Sequence, residues 1–246
     1  MKIVILGSGT GYPSPRREPS GLLIRVGNVP LLFDAGSGTL GRLARVGADL
    51  ATLEHVHFTH QHSDHCADLI PILQACKLMG RTRPLRVIAS PVFFAYMRAM
   101  VDLHPWAQPA GYALEEVDIT EGALSGPAWT VDAAPTGHLP GSLAFRLRAE
   151  GKTVVYTGDA VNTPGLTDFA KGADVLIAEC SFPDEYAEPY HLSPSEVGPM
   201  AEEAGVRHLV LTHFYPICDR YDILSAVSKW YSGPLTMAED GLTLTV

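Results

Sequence analysis

The sequence predicts a layered α/β protein in which two β-sheets pack face to face and helices cover their outer faces. Each half of the chain contains a group of short β-type runs, and each group is followed by segments with helical apolar spacing. The chain has 246 residues and is 46% hydrophobic, which is enough to bury the core that such layers need. We therefore expect one domain over residues 1–246.

The first half of the chain supplies the strands of one predicted sheet. Glycine-containing turns separate most of these β-type runs. The predicted strands are Lys2–Leu6, Gly21–Val26, Pro30–Asp34, His55–Phe58 and Arg86–Ala89. Helical spacing extends from Cys66 to Met79, is interrupted by Pro71 and ends at Gly80. Ser90 and Pro91 form the N-cap and first residue of a second helix that runs to about Val101.

The second half supplies the other sheet and further helices. Its predicted strands are Leu114–Ile119, Trp129–Ala134, Ser142–Arg148, Thr153–Tyr156, Val175–Ala178 and His208–Thr212. Ser193 to Glu196 form a capping box that starts a helix ending near Ala204, and Pro199 inside it predicts a kink or a late start. We expect a last helix over Tyr221–Tyr231 and a terminal hairpin that pairs Leu235–Met237 with Leu242–Val246.

The stretch Thr59-His60-Gln61-His62-Ser63-Asp64-His65 contains three histidines and one carboxylate within six consecutive residues. Imidazole and carboxylate groups are the ligands that Zn²⁺ and similar divalent ions prefer. In an extended segment alternate side chains point the same way, so His60 and His62 can face one ion. A turn at Ser63 then brings Asp64 and His65 round to a second ion. The alternative is a chance group of surface histidines, which would need no partners elsewhere.

Partners do occur later in the chain. His138 lies in a Gly/Pro-rich turn between two β-type runs, where a loop can present a side chain to a cleft. Asp159 and His213 each follow an apolar strand directly. All three residues are of types that bind metal ions, and they lie at strand ends or in loops, where they can join the His-rich stretch.

Several motifs together resemble those of the metallo-β-lactamase-fold hydrolases, and within them the ribonuclease Z-like phosphodiesterase branch. The resemblance covers nearly the whole chain. It is carried by Leu6-Gly7-Ser8-Gly9-Thr10-Gly11, Leu32-Phe33-Asp34-Ala35-Gly36, the His-rich loop, His138, Tyr156-Thr157-Gly158-Asp159, Ala178-Glu179-Cys180-Ser181-Phe182, His191 and Leu211-Thr212-His213-Phe214. It implies a four-layer αββα sandwich of the metallo-β-lactamase type.

The resemblance also implies a dinuclear metal site. One ion would be held by His60, His62 and His138, and the other by Asp64, His65 and His213. Asp159 would bridge the two ions, and Asp64 would orient or deprotonate the water between them. Diiron relatives carry a carboxylate at the position of His62, so zinc is favoured, with manganese or iron as alternatives. Asp34 is expected to stabilise its turn or to support a ligand.

In the ribonuclease Z-like branch a glutamate after a strand and a histidine before a helix cap act on the leaving oxygen. Glu179 and His191 match these positions, and their pairing would keep His191 protonated as a general acid. The alternative for Glu179 is a carboxylate satisfied by neighbouring amides. For His191 it is a residue that merely precedes the helix cap.

The chain departs from true ribonuclease Z enzymes, which resemble it but carry a long tRNA-gripping arm between the positions of His138 and Asp159. This interval holds only two strands and a turn at Gly151, and the formal net charge is −9. The basic stretch Arg81–Arg86 is interpreted as a solvated loop. A large folded nucleic acid is therefore not expected, and a small or nucleotide-like phosphodiester fits better.

The remaining features bear on location and assembly. The apolar run at the N-terminus is too short for a signal peptide and no run is long enough to cross a bilayer, so a cytoplasmic protein is expected. The four cysteines show no Cys-x-x-Cys spacing, which predicts reduced, buried thiols. Because relatives are often dimers, we expect a homodimer.

The sequence thus predicts a dinuclear zinc phosphodiesterase in which a metal-bridging hydroxide attacks a small diester. An ester, thioester or lactone hydrolase on the same metal core is the main alternative. A tRNA 3′-processing endonuclease and a non-catalytic metal-binding protein are further alternatives.

Overall fold

The computed structural model describes all 246 residues and contains two seven-stranded mixed sheets. In spatial order, the first sheet contains β14 (Thr243–Thr245), β1 (Lys2–Gly7), β2 (Gly21–Val26), β3 (Val29–Ala35), β4 (His55–His57), β5 (Leu85–Ala89) and β6 (Leu114–Asp118). The second contains β13 (Leu235–Met237), β12 (Leu209–Thr212), β11 (Val175–Glu179), β10 (Lys152–Tyr156), β9 (Leu143–Ala149), β8 (Trp129–Pro135) and β7 (Leu124–Ser125).

Seven α-helices accompany these sheets: α1 (Thr39–Arg45), α2 (Ser63–Cys66), α3 (Leu69–Leu78), α4 (Pro91–Leu103), α5 (Pro164–Ala170), α6 (Pro194–Glu203) and α7 (Ile223–Val227). Single 3₁₀ turns occur at Ile119–Glu121, Asp184–Tyr186 and Pro216–Arg220. None of the helices combines the length and the apolar composition that crossing a bilayer requires.

Three apolar clusters define four layers. β1 illustrates the pattern, because Ile3 and Ile5 pack into the cluster between the sheets while Val4 and Leu6 pack into the cluster under α3 and α4. The third cluster lies between the second sheet and helices α5, α6 and α7. The predicted αββα sandwich is therefore confirmed.

The predicted helix starts follow from local capping chemistry. The Ser90 side chain accepts a hydrogen bond from the Phe93 amide, with Pro91 as the first helical residue, and Ser193 and Glu196 form the predicted capping box. α6 begins at Pro194 and continues through Pro199, so the late start is wrong. The helix tolerates this proline with the loss of one backbone donor.

Two predictions at the C-terminal end are wrong. Leu235–Met237 and Thr243–Thr245 do not form a hairpin, since β13 pairs in parallel with β12 in one sheet and β14 pairs antiparallel with β1 in the other. The connecting residues cross between the sheets, where the Ala238 amide donates to Leu211 and the Gly241 amide to Ile5. The final α-helix spans only Ile223–Val227, because the Asp222 side chain caps its start by accepting the Ser225 amide and residues 228–230 form a turn instead of continuing it.

Other boundaries also differ from the prediction. The helix expected over Cys66–Met79 is two helices, α2 and α3, that meet at Ala67 and Asp68. α2 therefore includes Asp64 and His65 instead of starting after them. Pro71 lies in the first turn of α3, where its missing amide proton costs no internal hydrogen bond. α1 and α5 were not predicted, and each has only seven residues. The predicted strand Leu114–Ile119 was assigned to the wrong sheet, because β6 pairs in parallel with β5 at the edge of the first sheet.

The parallel parts of both sheets direct their C-terminal strand ends to the same edge of the sandwich. β3, β4 and β5 are parallel neighbours in one sheet, and β10, β11 and β12 in the other. Two residues at this edge, Asp34 and His213, have φ values of 56° and 59°, which non-glycine residues rarely adopt. Backbone strain of this kind clusters at functional sites.

His57 of β4 is buried between the sheets without being part of this edge. Its ring stacks on Phe33 at 4.3 Å, its Nδ1 lies 3.0 Å from the Leu32 carbonyl oxygen, and its Nε2 has no hydrogen-bond partner. Burial lowers the pKa of His57 to about 3.

We expect His57 to make stability depend on pH between about 6.5 and 3, since only the unfolded chain binds its proton there. Within this range, His57 should lower the free energy of unfolding by about 1.4 kcal/mol for each unit by which the pH falls. Urea unfolding of wild type and His57→Leu at several pH values measures this difference, with His104→Leu as the control. Equal slopes in wild type and His57→Leu would contradict the assignment.

Candidate metal centre

The edge where the strand ends meet brings together every residue that the sequence predicted as a metal ligand. These residues come from four loops and one short helix, α2. Three sets have ligand atoms that all lie within 4.8 Å of one another. The first contains His60, His62, His138 and Asp159, and the second contains Asp64, His65 and His213. The third shares Asp159 and His213 with these two and adds Glu179 and His191. The first two sets group these residues as predicted.

Asp159 lies between the first two sets. Its Oδ1 is 3.1 Å from His65 Nε2 and 3.3 Å from His213 Nε2. Its Oδ2 is 3.7 Å from the Nε2 atoms of both His60 and His138. The carboxylate therefore presents one oxygen to each set, as a bridging ligand must.

Outer hydrogen bonds fix the orientation of the histidine rings. His65 Nδ1 lies 2.7 Å from Asp34 Oδ2, and His138 Nδ1 lies 2.8 Å from the Tyr190 carbonyl oxygen. With Nδ1 as the donor, Nε2 of each ring faces the centre, where its lone pair can bind a cation once Nε2 carries no proton. Metal-binding histidines commonly have such outer partners.

Two further rings are held through a hydroxyl group that links them to a carboxylate. Thr59 Oγ1 lies 2.9 Å from Asp34 Oδ2 and 3.0 Å from His60 Nδ1, so the hydroxyl can donate to Asp34 and accept from His60. Ser181 donates to Glu179 and lies 2.9 Å from His213 Nδ1. Thr59 and Ser181 thus perform the same task for different ligand sets.

Sequence reasoning did not assign roles to Thr59 and Ser181. Both had a usable signal, because Thr59 directly precedes His60 and Ser181 is two residues beyond Glu179, where strand alternation places side chains on one face. Tyr156, whose hydroxyl donates to Asp34 at 2.8 Å, has only its position at the end of β10 as a signal. Asp34 supports a predicted ligand, as expected.

The unpaired polar atoms of this cluster fit a bound cation. His60 Nε2 and Asp159 Oδ1 are buried without a hydrogen-bond partner. The Nε2 atoms of His65 and His213 lie 3.2 Å apart, and His138 Nε2 lies 3.3 Å from His62 Nδ1, so each of these two pairs must share either a proton or a cation. Converging imidazole lone pairs and a buried carboxylate are costly unless a positive ion satisfies them. The residues present therefore fit divalent metal ions.

The electrostatics of the histidines differ according to their carboxylate neighbours. Burial lowers the pKa of His60 well below its ordinary value. Burial also acts to lower the pKa of His65, but the carboxylates of Asp159 and Asp34 outweigh it and raise that pKa well above the ordinary value. A strong preference for positive charge thus exists at His65, beside Asp159.

Asp64 is the most accessible carboxylate of the two ligand sets. It accepts a hydrogen bond from the Gly11 amide at 2.8 Å and lies 3.5 Å from His213 Nε2. Burial acts to raise its pKa, but the contacts with His213 and His65 outweigh burial and lower it. Asp64 is therefore ionised at neutral pH and available to a cation or to a water molecule.

Glu179 and His191 form the pair that the sequence predicted. Glu179 Oε2 lies 2.9 Å from His191 Nδ1, and Oε1 accepts the Ala160 amide at 2.6 Å. Burial acts to lower the pKa of His191, but the hydrogen bond and charge of Glu179 raise it to about 9. His191 is thus protonated at neutral pH, while the Ala160 contact shows that Glu179 also satisfies a backbone amide.

A cavity of about 370 Å³ opens next to the cluster, and we call it the metal-side cavity. It is lined by His62, His138, Leu139, Phe182, Glu188, Tyr190, His191 and Tyr215. Because His62, His138 and His191 all contribute to its wall, a bound molecule would contact both the ligand cluster and the Glu179–His191 pair.

Comparison with known proteins identifies relatives over most of the chain. Residues 30–214 match the family model described as the beta-lactamase superfamily domain. Ribonuclease Z of Mycobacterium bovis is 32% identical over 88% of this chain and 86% of its own length. Among solved structures, the metallo-β-lactamase-fold protein YhfI of Bacillus subtilis is 26% identical, covers 99% of this chain and 98% of its own, and superposes with a TM-score of 0.86.

The short form of human tRNase Z is a more distant structural neighbour. It is 22% identical, with coverage of 100% of this chain and 99% of its own and a TM-score of 0.81. At this identity the likeness concerns the fold. Together these matches confirm the resemblance that the motifs carried.

The close packing of Gly36 against α2 yields a test of how the loops position the cluster. A Cβ atom at Gly36 would lie 2.1 Å from the Asp64 carbonyl oxygen, whereas one at Gly41 in α1 would meet nothing within 4 Å. We expect Gly36→Ala to displace Asp64 and to lower metal affinity by about 10- to 100-fold, as loss of ligand support typically does.

Gly41→Ala is the matched control, which should leave metal affinity unchanged and stabilise the helix by up to about 1 kcal/mol. Zinc titration against a competing chelator, together with urea unfolding, measures both effects. Unchanged zinc affinity in Gly36→Ala would show that this contact does not position Asp64.

Proposed function

Since this chain belongs to the beta-lactamase superfamily, among the relatives of ribonuclease Z, we propose that it is a dinuclear metal phosphodiesterase of one domain, residues 1–246, acting on small or nucleotide-like diesters. Its relatives and its His/Asp cluster make it a metal-dependent hydrolase. The phosphodiesterase activity is supported chiefly by the Glu179–His191 pair, because His191 lines the same cavity as His62 and His138 of the ligand cluster.

Seven residues would hold two divalent ions in this proposal. His60, His62 and His138 would hold one, Asp64, His65 and His213 the other, and Asp159 would contact both. When bound, such ions lower the pKa of a coordinated water molecule and neutralise charge on phosphate oxygens. The five imidazoles among these ligands favour zinc, with manganese or iron as alternatives.

The chain's own residues would perform the proton transfers. Asp64, ionised and partly accessible, would orient the attacking water and accept its proton. His191, protonated and paired with Glu179, would donate a proton to the leaving oxygen. Such a donor matters for phosphodiesters with alkoxide leaving groups, because a poor leaving group cannot depart with full negative charge.

The form of the substrate follows from the dimensions and charge of the site. β9 and β10 are joined by a tight turn at Glu150 and Gly151, so no segment between His138 and Asp159 extends over a large ligand. The volume of the metal-side cavity, about 370 Å³, is that of a site for a small molecule. The net charge of −9 also disfavours extensive phosphate contacts.

RNA is the second candidate substrate, because several relatives at 31–32% identity carry the name ribonuclease Z. Precursor tRNA should therefore be included in any substrate panel. Release of a 3′ trailer faster than hydrolysis of any small diester would favour this candidate. The homodimer and the cytoplasmic location stay predictions.

The general-acid role predicts a dependence on the leaving group. We expect His191→Ala to lose about 100-fold in kcat on cyclic nucleotides, whose leaving group is an alkoxide, and little on bis-p-nitrophenyl phosphate, whose leaving group needs no proton. Steady-state kinetics of the zinc- or manganese-loaded enzyme measure both rates. His104→Ala, outside the cluster, is the matched control, and metal content should equal that of wild type.

Two results would count against the proposal. Equal losses on both diesters would assign His191 a structural role. No turnover of any diester at full metal occupancy, with turnover of an ester, thioester or lactone, would instead support the alternative hydrolase class.

A further inference from the structure

We propose that a second cavity beside the metal-side cavity binds the nucleobase of the substrate, an inference that rests on the phosphodiesterase function proposed above. This cavity, the aromatic groove, has a volume of about 390 Å³. It is lined by Tyr12, Phe182, Tyr186, Tyr215, Pro216, Ile217 and Arg220. Four of these seven side chains are aromatic.

The aromatic groove is continuous with the proposed reaction site. Phe182 and Tyr215 line both cavities, and their rings stack at 4.3 Å with an interplanar angle of 21°. The ring centroids of Phe182 and His191 lie 5.9 Å apart, and those of Tyr215 and His213 lie 6.3 Å apart. A substrate whose phosphate lies at the metal-ligand cluster can thus extend past Phe182 and Tyr215 into the aromatic groove, on the side of His191.

The walls of the groove expose much of their aromatic surface. Tyr12 and Tyr186 are 60% and 49% exposed, although each meets one neighbouring ring edge-on: the ring centroids of Tyr12 and Tyr215 lie 6.5 Å apart, and those of Tyr186 and Tyr221 lie 5.8 Å apart. Exposed apolar surface next to a polar site commonly marks a ligand site. Flat aromatic faces bind planar rings by stacking, and nucleobases are the planar rings that phosphodiesters commonly carry.

The charge of the groove selects among planar rings. Arg220 is its only charged lining residue and forms no ion pair within the chain. A guanidinium group donates hydrogen bonds in one plane and accepts none, so it matches the ring nitrogens and carbonyl oxygens at the edge of a base. No carboxylate lines the groove, so a positively charged ring would find no opposite charge there and is disfavoured as a ligand.

The loop that carries Tyr12 is fixed in place before any ligand binds. The amide of Gly11 donates to Asp64, and the buried guanidinium of Arg17 donates to Ser8 Oγ at 2.8 Å and to the Ala238 carbonyl at 2.6 Å. A fixed wall reduces the entropic cost of binding. Because Tyr12 directly follows Gly11, the hydrogen bond from Gly11 to Asp64 also fixes the position of Tyr12 relative to Asp64.

The test compares two phosphate monoesters that differ only in the base. Adenosine 5′-monophosphate and ribose 5-phosphate are titrated calorimetrically into the manganese-loaded full chain. We expect wild type to bind the nucleotide about tenfold more tightly, and Tyr12→Ala/Tyr186→Ala to reduce this preference to about twofold or less, because base–aromatic stacking is lost. Trp106→Ala, an exposed aromatic outside the groove, should behave as wild type.

Further variants distinguish stacking from other effects. Tyr186→Phe should keep the preference, because its ring can still stack, and Tyr12→Ala alone serves if the double variant does not fold. Equal affinity of wild type for the two ligands, or no binding of the nucleotide at millimolar concentration, would overturn the proposal. Loss of the preference in Tyr190→Ala alone would also overturn it, since Tyr190 lines only the metal-side cavity.

A kinetic comparison separates this inference from the proposed function. With a cyclic nucleotide, the Tyr12→Ala/Tyr186→Ala variant should raise KM about tenfold and leave kcat within about twofold, while a base-free cyclic ribose phosphate should show no change. Absence of turnover with all diesters would contradict the phosphodiesterase function. The calorimetric preference for the nucleotide over ribose 5-phosphate would still test whether the aromatic groove binds a base.

Discussion

A buried carboxylate, Asp159, imposes the strongest physical constraint on this molecule. Its side chain is 2% exposed and lies within 3.7 Å of nitrogen atoms from four histidines. Burying a charge is expensive unless opposite charge compensates it, and one of its oxygens has no hydrogen bond. The fold therefore keeps at its edge a negative centre surrounded by lone-pair donors, and this arrangement is stable when cations occupy it.

The two sheets make this concentration of ligands possible. Parallel strands deliver their C-terminal ends to one edge, so residues far apart in sequence converge without long loops. Two carboxylates behind the cluster, Asp34 and Glu179, each hold a ligand ring through a hydroxyl group and another histidine directly. The strained backbone at Asp34 and His213 lies in this same region, where many contacts hold it in place.

How much the sequence could predict depends on the range of the interaction involved. Cap motifs such as Ser90-Pro91 and the residue types in the His-rich loop are local signals, so the starts of α4 and α6 and the candidate ligands were predictable. The partners of β13 and β14 were not, because strands of three residues carry no signal for which sheet they join. Thr59 and Ser181 were missed because a hydroxyl relay is recognised only when both of its neighbours are placed in space.

Seven side chains between positions 60 and 213 would hold two cations that share Asp159. Elemental analysis of purified protein, saturated with zinc and then freed of loosely bound metal, counts these ions. We expect two zinc ions per chain in the wild type, both requiring the Asp159 carboxylate. One ion per chain or fewer, or an Asp159→Ala variant that still retains two, would contradict this expectation.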